Sequence, residues 1–401
     1  AVNAEVAGQA TRLVAGRRRV LTCHAHVTDP VLWESLRMRE LASPRGGGGR
    51  IQFFNTFDVA ARALAAVVLP PFAPPASEAR HVLLAGLGPV SERFIVYLGR
   101  TWPFTRERSD ERIRVTVTDP LASDKVHALT RRYPRLADAC ELVPRDIDLT
   151  SSGVDLGPLL SAGGPRVTAA CVTSMDDAAA LTTGLALVHR SRDNSFPVVV
   201  CVSQERGLNV LLGTGDGGDS RITLLGMLER GCTPELVLHG SNEILARAIH
   251  DEYLRDQLRA GHSIHTNPAM QSWDALAGSL RDSNRRQADH IRDKIESIGC
   301  AIAPSAEWDA TLLRFTGAEV EQMARMEHQR WVNERKDEGW RHDPGPKNFE
   351  RKTSPYLVDW ELLPDTVKEF DRNTVRNMPA FLARVGLCVH RLPRAHAEDT
   401  A

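Results

Sequence analysis

A histidine, two tryptophans and a cluster of charged residues occur within the fourteen residues EHQRWVNERKDEGW (327–340), in a chain that is only 5% aromatic. His328, Trp331 and Arg335 recur at helical spacing, so they share one face of a predicted helix. Such a face is unsuited to burial in an apolar core, because the histidine and the arginine need polar partners or water. It suits a wet pocket in which Trp331 stacks on a base and Arg335 pairs with an anionic group.

Aromatic and basic side chains continue to alternate after this helix. Interleaved rings and cations suit a nucleotide-like or cyclic-nucleotide ligand, which offers a flat base and an anionic group. The alternative is that the tryptophans form the core of a small helical domain while the cations are solvated. The residues in question are Trp340, Arg341, Lys347, Arg351, Lys352, Tyr356 and Trp360.

A capping motif indicates where the helix that carries Trp331 begins. Thr316 and Glu319 have the T-x-x-E spacing of a capping box, which predicts a helix from Gly317. Gly339 is a suitable residue for the C-cap of that helix. Strand signals almost vanish from about residue 271 onward, so we expect a mainly helical last third of the chain.

A glycine-rich turn, GLGPVS (86–91), follows an apolar strand and opens a predicted helix, which is the context of a dinucleotide-binding fingerprint. Gly86 would allow the tight turn, and Gly88 would let the backbone approach a pyrophosphate at the helix N-terminus. Ser91 stands where a third glycine is usual and is small enough for close packing. Asp119 ends the next strand and could accept hydrogen bonds from ribose hydroxyls. The long connection before Asp119 departs from the usual spacing, so a turn that binds nothing is the alternative.

Five apolar segments without alternation, separated by predicted helices, follow the Pro-rich stretch 69–80. Unalternated apolar strands between helices indicate a parallel sheet that is covered on both faces. We therefore predict an α/β, Rossmann-like, doubly wound fold, in which residues 222–260 are mostly helical with one short strand at 235–240. The five predicted strands are 81–88, 113–120, 140–147, 167–174 and 197–203.

Residues 1–68 have the predicted order α-β-α-β-α, which is about half of a doubly wound domain. The half with the first strand and its glycine turn is missing from this pattern. A half-domain leaves a sheet edge and an apolar helix face uncovered. We expect either that the chain lacks upstream residues or that this half docks on something else.

Composition excludes several classes of protein. A net charge of −1 lacks the excess of basic residues that is typical of nucleic-acid-binding proteins. The seven cysteines are widely spread and include no CxxC, which indicates buried thiols of a reducing cytoplasm rather than disulfides or a metal site. No apolar run approaches the roughly 20 residues that span a bilayer.

Residues 1–240 resemble the regulator-of-potassium-conductance (RCK) family, whose nucleotide-binding half is called TrkA-N. This resemblance implies paired Rossmann-like lobes below a potassium channel or transporter, with a transmembrane region upstream in the full-length protein. It also implies gating by NAD or another adenine nucleotide. The matching segments are CHAHVTDPVLWESLR (23–37), LLAGLGPVSERF (83–94), VTVTDP (115–120) and the RYP stretch at 132–134.

Residues from about 280 to 392 resemble the RyR repeat, named after ryanodine receptors. The resemblance implies adenine-nucleotide binding at Trp331, and a single repeat implies that two chains pair to complete the site. Trp360 replaces the usual tyrosine or phenylalanine, and HDPGPKN (342–348) is atypical. The candidate ligand-binding residues are then His328, Trp331, Arg335, Trp340, Arg341, Lys352, Tyr356, Trp360, Asp371 and Arg372; the candidate cofactor-binding residues are Gly86, Gly88, Ser91 and Asp119.

These patterns predict a cytoplasmic nucleotide-sensing module that is not an enzyme, uses no metal, binds no nucleic acid and forms a homodimer or higher homo-oligomer. The alternatives are a cyclic-nucleotide-responsive signalling or defence effector without a channel, and an NAD-dependent enzyme. We expect a half-lobe (1–68), a linker (69–80), a TrkA-N domain (81–240), a helical connector (241–280), an RyR domain (281–393) and a tail (394–401).

Overall fold

The chain divides into two units, Ala1–Gly240 and Ser241–Ala401. Each unit has its own buried apolar residues. The computed structural model describes residues 2–13, 21–30, 32–36, 49–68, 80–105, 111–149, 157, 159, 165–191, 196–205, 207–208, 221–231, 233, 241–263, 267, 269–304, 312–348 and 350–392. The predicted linker, apart from Arg80, and the predicted tail lie outside these residues, as does the predicted strand at 235–240.

The first segment of unit 1 has the predicted order of helices and strands. Strands β1 and β2 pair in parallel. Residues 30 and 32–36 are helical. Ala7, Trp33 and Phe53 pack together in one small core. The elements are α1 (Val2–Leu13), β1 (Leu21–His26), β2 (Gly49–Phe54) and α2 (Thr56–Val68).

The centre of unit 1 is a six-stranded parallel sheet. Its order is β5-β4-β3-β6-β7-β8, which reads 3-2-1-4-5-6 along the chain and is the order of doubly wound nucleotide-binding folds. The predicted α/β, Rossmann-like class is confirmed. The strands are β3 (His81–Ala85), β4 (Ile113–Asp119), β5 (Cys140–Asp146), β6 (Ala169–Val172), β7 (Val198–Val202) and β8 (Ile222–Gly226).

Helices pack beside this sheet, and one of them, α6, has a side-chain N-cap. Asp176 caps α6, because its side chain accepts hydrogen bonds from the N–H groups of Ala178 and Ala179. Gly184 of α6 lies so close to Val200 that a Cβ atom would come within 2.5 Å of its side chain. The helices are α3 (Pro89–Thr105), α4 (Ala122–Arg132), α5 (Leu136–Ala139), α6 (Asp177–Arg190) and α7 (Met227–Gly231).

The first segment docks on the sheet of its own unit through α2, which packs against α3 and also contacts β7, β8 and α7. Ala60, Ala61 and Leu64 of α2 are fully buried. Arg93 of α3 forms an ion pair of 2.6 Å with Glu34 of the first segment. Docking is one of the two alternatives expected from the sequence, and it supplies the apolar contacts that a half-domain lacks.

The prediction that residues 222–260 are helical apart from one strand at 235–240 is wrong at its start. Ile222–Gly226 is the sixth strand and pairs in parallel with β7. The segment ITLLG is short, and it becomes a strand because the edge of β7 offers it hydrogen bonds and an apolar face.

Unit 2 is mainly helical, as predicted. Its longest helix, α11, carries the tryptophan motif, and its short strands pair in two-stranded sheets. A short 3-10 helix spans Trp360–Leu362. The elements are α8 (Ser241–Arg259), α9 (Gly278–Asp289), α10 (Ile291–Ser297), β9 (Cys300–Pro304), α11 (Gly317–Asp337), β10 (Arg341–His342), β11 (Thr353–Ser354), α12 (Asp365–Arg376), α13 (Met378–Arg384) and β12 (Leu387–Arg391).

An antiparallel ribbon in unit 2 was not predicted. β9 pairs with β12, so that Cys300 lies opposite Arg391. Each strand is only five residues long, and the two are separated by most of the unit. Pairing over such a distance leaves no local pattern in the sequence, because each strand forms only when the other is in place.

None of the helices in the described part of the chain is long and apolar enough to cross a membrane.

Candidate functional site

The glycine turn between β3 and α3 is held by its own side chains. Gly86 has a φ of +89°, a conformation that favours glycine. The Ser91 hydroxyl is fully buried and donates to the Gly86 carbonyl oxygen at 2.6 Å. It also contacts the Thr173 hydroxyl. Ser91 therefore fits the third-glycine position and locks the turn to β6.

Asp119 also holds this turn. Its carboxylate accepts from the backbone N–H of Leu87 at 3.0 Å and from that of Leu121 at 2.9 Å. Lys125 Nζ lies 2.8 Å from the same carboxylate. Burial alone would raise the pKa of Asp119, but these hydrogen bonds outweigh it and lower the pKa. A ribose at Asp119 would compete with these donors.

Gly88 leaves an open approach to the N-terminus of α3, because a Cβ atom built there meets nothing within 4 Å. A phosphate could approach this backbone. Pro89, the first helical residue, has no N–H, and the Gly88 N–H donates weakly to Ser91 Oγ at 3.3 Å. The turn thus offers space for a phosphate but few free donors.

Helix α11 begins and ends as predicted. The Thr316 side chain accepts from the Glu319 N–H, and the Glu319 carboxylate accepts from the Thr316 N–H at 2.7 Å, so the capping box is confirmed. Gly339 has a φ of +85° and follows the C-cap residue. These caps fix the length of α11 and the direction in which the motif residues project.

Three neighbouring rings of unit 2, here called the ring stack, lie side by side. His328 is stacked on Trp331, with ring centroids 6.0 Å apart and an interplanar angle of 28°. Its other neighbour is Trp360, at 5.8 Å and 56°. Trp360 is 6% exposed and His328 is buried, whereas Trp331 is half-buried. Trp331 is the member of the stack that reaches the surface.

Trp340 has a packing role. It is 7% exposed and forms a small core with Val332 and Leu357, against which Trp331 also packs. Lys347 lies 5.5 Å from the centre of its ring. Burial favours packing over ligand stacking for Trp340 and for Trp360, so Trp331 is the ring best placed for a ligand.

Arg335 links the two tryptophans of this helix region. Its guanidinium lies 6.0 Å from the ring centre of Trp331 and 5.5 Å from that of Trp340. Nη1 pairs with Glu338 at 2.7 Å. Nε is buried without a hydrogen-bond partner among the residues that the structure describes. A buried donor without a partner is costly, and a ligand beside Trp331 could satisfy it.

Three candidate residues lie nearer the surface. Arg341 is exposed, and Tyr356 is 39% exposed. Lys352 adopts a φ of +51°, and its ammonium donates to the Glu338 carbonyl oxygen at 2.8 Å, so it caps the C-terminal end of α11. For these residues ligand contact stays a prediction, and Lys352 has a structural role as well.

Arg372 is engaged within the protein. It pairs with Glu321 of α11 at 2.8 Å, and the same glutamate accepts from Trp360 Nε1 at 2.9 Å. The guanidinium lies 5.8 Å from the ring centre of Trp360. Arg372 thus fixes the inner end of the ring stack.

A buried ion network next to the stack was missed by the sequence analysis. Lys294 of α10 has no exposed surface and pairs with Glu327 at 2.6 Å. Arg330 pairs with Glu327 at 2.7 Å and also with Glu334. Both glutamates are buried, and Glu334 also pairs with Arg286 at 3.2 Å, so three cations compensate two carboxylates inside unit 2.

The network sets the charge of the carboxylates around it. Burial on its own would raise the pKa of Glu327, but Lys294 and Arg330 lower it to about 2. Asp371 of α12 behaves in the opposite way. Burial and the charge of Glu327 raise its pKa to about 7, although Arg330 and Lys294 oppose the shift.

The burial of Glu327, one member of this network, could have been predicted from the sequence. Glu327 follows Val320, Met323 and Ala324 at helical spacing, and those three residues are buried. A carboxylate on an apolar face predicts burial and a cationic partner. The partner Lys294 lies on another helix, and nothing local indicates it.

In the described part of the chain there is no group of three or more His, Cys, Asp or Glu side chains that could hold a metal ion. The described cysteines are free thiols, and burial raises the pKa of Cys171 and Cys201. Such thiols are poor nucleophiles and poor metal ligands at neutral pH.

The region that contains this ring stack matches a known protein family. Residues 310–391 match the RyR domain family. The chain contains an RyR domain. The match covers α11 to β12 and includes each candidate residue of the ring stack. No curated protein matches the chain.

Proposed function

We propose that this chain is a regulatory module in which the RyR domain binds an adenine-type or cyclic nucleotide. The observation that carries the proposal is the half-burial of Trp331, at the outer end of a stack whose inner rings are buried. A fixed ring with one end at the surface is a suitable platform for a base.

Charge beside this platform defines the ligand class. Arg335 lies against Trp331, and its Nε has no hydrogen-bond partner among the described residues. A guanidinium next to a ring recognises a ligand that combines a flat base with a phosphate or another anion. A nucleotide meets both conditions.

The regulatory part of the proposal is supported by the Rossmann-like fold of unit 1 and by the resemblance of its motifs to the RCK family. In this proposal the module is cytoplasmic, forms a homodimer or higher homo-oligomer, and gates a potassium channel or transporter region. It is not an enzyme. Gating requires that the ligand prefers one arrangement of the protein over another.

The test is a thermal-shift screen of the full chain with AMP, ATP, NAD and cyclic nucleotides. A ligand at 100 times its dissociation constant stabilises the folded protein by about 2.7 kcal/mol. We expect Trp331→Ala to abolish the shift. Phe370→Ala is the matched control, because Phe370 is an aromatic residue of the same domain that is 71% exposed.

A second candidate site is the glycine turn, which is favoured by the open space at Gly88. Gly88→Asp would repel a phosphate there, and its Cβ atom meets nothing within 4 Å. Gly8→Asp is its control, because it adds the same charge at another position where a Cβ atom meets nothing within 4 Å. A shift lost only in Gly88→Asp would move the sensor to the Rossmann-like lobe, and no shift with any nucleotide would contradict the proposal.

A further inference from the structure

The His328 ring is held with a defined proton position. Its Nε2 lies 2.8 Å from the carbonyl oxygen of Val358. A carbonyl can only accept, so Nε2 carries a hydrogen and donates it. In the neutral ring Nδ1 is then a bare acceptor, and it lies 3.8 Å from Asp371 Oδ2. A small side-chain movement would bring these two atoms to hydrogen-bond distance.

Asp371 forms no direct ion pair with a lysine or an arginine among the described residues; its nearest ionisable partner is His328. Helix α11 presents Glu327, Arg330 and His328 to it, and α10 presents Lys294. These two cations form their direct ion pairs with Glu327 and Glu334, and Arg286 also pairs with Glu334. An ionised Asp371 would therefore be a carboxylate without a direct cationic partner in a largely buried place, and a neutral carboxylic acid avoids this.

The ring of His328 connects Asp371 to the proposed ligand platform. Its two aromatic neighbours are Trp331 and Trp360. Trp360 is fixed by its hydrogen bond to Glu321 and by its burial. A change at His328 therefore acts on Trp331, which stacks on the His328 ring and is half-buried, more readily than on Trp360.

We propose that Asp371 and His328 share one proton and that this proton holds Trp331 in its ligand-binding position. In the acidic form the Asp371 carboxyl O–H donates to His328 Nδ1. At higher pH the proton passes to solvent, and a carboxylate then faces a bare ring nitrogen. The two lone pairs repel each other, and the His328 ring loosens the stack. Asp371 is in this sense a positioning residue that acts on Trp331 through His328.

A consequence for the ligand rests on the proposed function of the same platform. If the nucleotide binds only the form that carries the shared proton, its apparent affinity falls as pH rises through the neutral range. For one linked proton with a midpoint near neutrality, the dissociation constant rises by about tenfold between pH 6 and pH 8.

The first test uses the ligand-free full chain and intrinsic tryptophan fluorescence between pH 5.5 and pH 8.5. The signal of interest is the wild type minus Trp331→Phe, which isolates Trp331 among the seven tryptophans. We expect a transition near neutral pH in the wild type. It should disappear in Asp371→Asn, because the amide can donate to Nδ1 without titrating. Asp359→Asn, a change at an exposed aspartate, should retain it.

Two outcomes of this test would overturn the proposal. One is a Trp331 signal that stays flat over the whole range in the wild type. The other is an equal transition in Asp371→Asn, which would assign the titration to another group. Neither outcome depends on any nucleotide, so the test separates this proposal from the proposed function.

The second test measures AMP binding by calorimetry at pH 6 and at pH 8. We expect the ratio of the two dissociation constants to be about ten in the wild type and near one in Asp371→Asn. Equal ratios in both proteins would overturn the link between the proton and the ligand. Absence of AMP binding at both pH values would contradict the proposed nucleotide, while the fluorescence transition still decides the proton-sharing pair.

Discussion

Lys294 is a lysine without exposed surface, and its partner Glu327 is 5% exposed. Removal of one member of a buried ion pair leaves an uncompensated charge inside the protein, which costs about 3–5 kcal/mol. We therefore predict that Lys294→Met lowers the free energy of unfolding by about 3 kcal/mol, because Arg330 still compensates part of the Glu327 charge. Urea denaturation of the full chain would measure it.

Arg325→Met is the matched control for this prediction. Arg325 pairs with Glu361 at the surface of the same domain, and both side chains are at least half exposed. Exposed pairs contribute little, because water and salt screen them. An equal loss in the two variants would show that the burial of Lys294 is not the cause.

Asp371 makes the stability of unit 2 depend on pH. Its pKa is raised from 3.8 to about 7, so between these values the folded protein holds a proton that the unfolded chain has lost. Its contribution is fully present below about pH 4 and is lost as pH rises through about 7. We predict that the wild type is less stable at pH 8 than at pH 5 by about 3 kcal/mol from this group.

The check is urea denaturation of the wild type and Asp371→Asn at both pH values. The asparagine variant should show a smaller difference between pH 5 and pH 8. Glu327 does not confuse the comparison, because its pKa is about 2 and its contribution is lost only as pH falls through that value. An unchanged difference in the variant would exclude Asp371 as the source.

Single residues were predictable where a local pattern defines them. The capping role of Thr316 followed from a spacing of three residues, and the structure confirms it. The burial of Trp340 and Trp360 was one of two alternatives, because composition cannot tell a ligand ring from a core ring. Lys294 was not predictable, since a lysine on a separate helix gives no local signal of burial.

The turn between β3 and α3 gives a direct contrast between two glycines of one element. Gly86 has a φ of +89°, whereas a Cβ atom at Gly88 meets nothing within 4 Å. An L-residue in the left-handed region costs about 1–2 kcal/mol. We predict that Gly86→Ala lowers the free energy of unfolding by that amount and that Gly88→Ala changes it little. Thermal denaturation of both variants without ligand would measure this.

The two variants control each other, since both add one methyl group to the same turn. An equal loss of stability in the two variants would mean that steric crowding, and not the backbone conformation of Gly86, causes the loss. A loss of stability in Gly88→Ala alone would contradict the described geometry. The separate loss of a nucleotide-induced shift in Gly88→Asp reports on binding and not on strain.

Helices and strands with a clear hydrophobic pattern, or with a capping motif or glycine turn at one end, were predicted best. Strands β3, β6 and β7 are continuous apolar runs, and the sheet is parallel as predicted. Helix α3, which was predicted to begin at the glycine turn, extends from Pro89 to Thr105. The short strands β8, β9 and β12 were not predicted. Their sequences have no clear strand pattern, and they become strands because a partner strand offers them hydrogen bonds.

At the scale of unit 1, Arg93 connects the first segment to the Rossmann-like sheet. Its side chain is 4% exposed, and its partner Glu34 is 31% exposed. We predict that Arg93→Met weakens the docking of the first segment, because Glu34 loses the partner that compensates its charge. Hydrogen exchange should then become faster in α2, where Ala60, Ala61 and Leu64 are buried against the unit.

Arg135→Met is the control for this measurement. Arg135 pairs with Asp138 at the surface of the same unit, with about half of each side chain exposed. It should leave exchange in α2 unchanged. Equal exchange in α2 of the wild type and Arg93→Met would show that the apolar contacts alone hold the segment.

The division into an α/β unit and a mainly helical unit was predictable, because hydrophobic periods differ between the two halves. The sequence left open whether residues upstream complete the first segment or whether it docks on something else, and no local pattern indicates the sheet of unit 1 as its docking surface. The matched RyR residues begin at 310, but β9 at 300–304 pairs with β12, and Lys294 reaches Glu327. The folded module therefore begins upstream of the matched residues.

The β9–β12 ribbon brings Cys300 and Arg391 side by side, although ninety residues of chain separate them. A module whose entry and exit points are neighbours can be placed in a surface loop of an unrelated carrier without stretching either protein. It can also be duplicated in tandem or circularly permuted at the same point. The ribbon thus brings the two junctions of such a graft close together, and the grafted segment has to begin upstream of α10, because Lys294 of that helix pairs with Glu327.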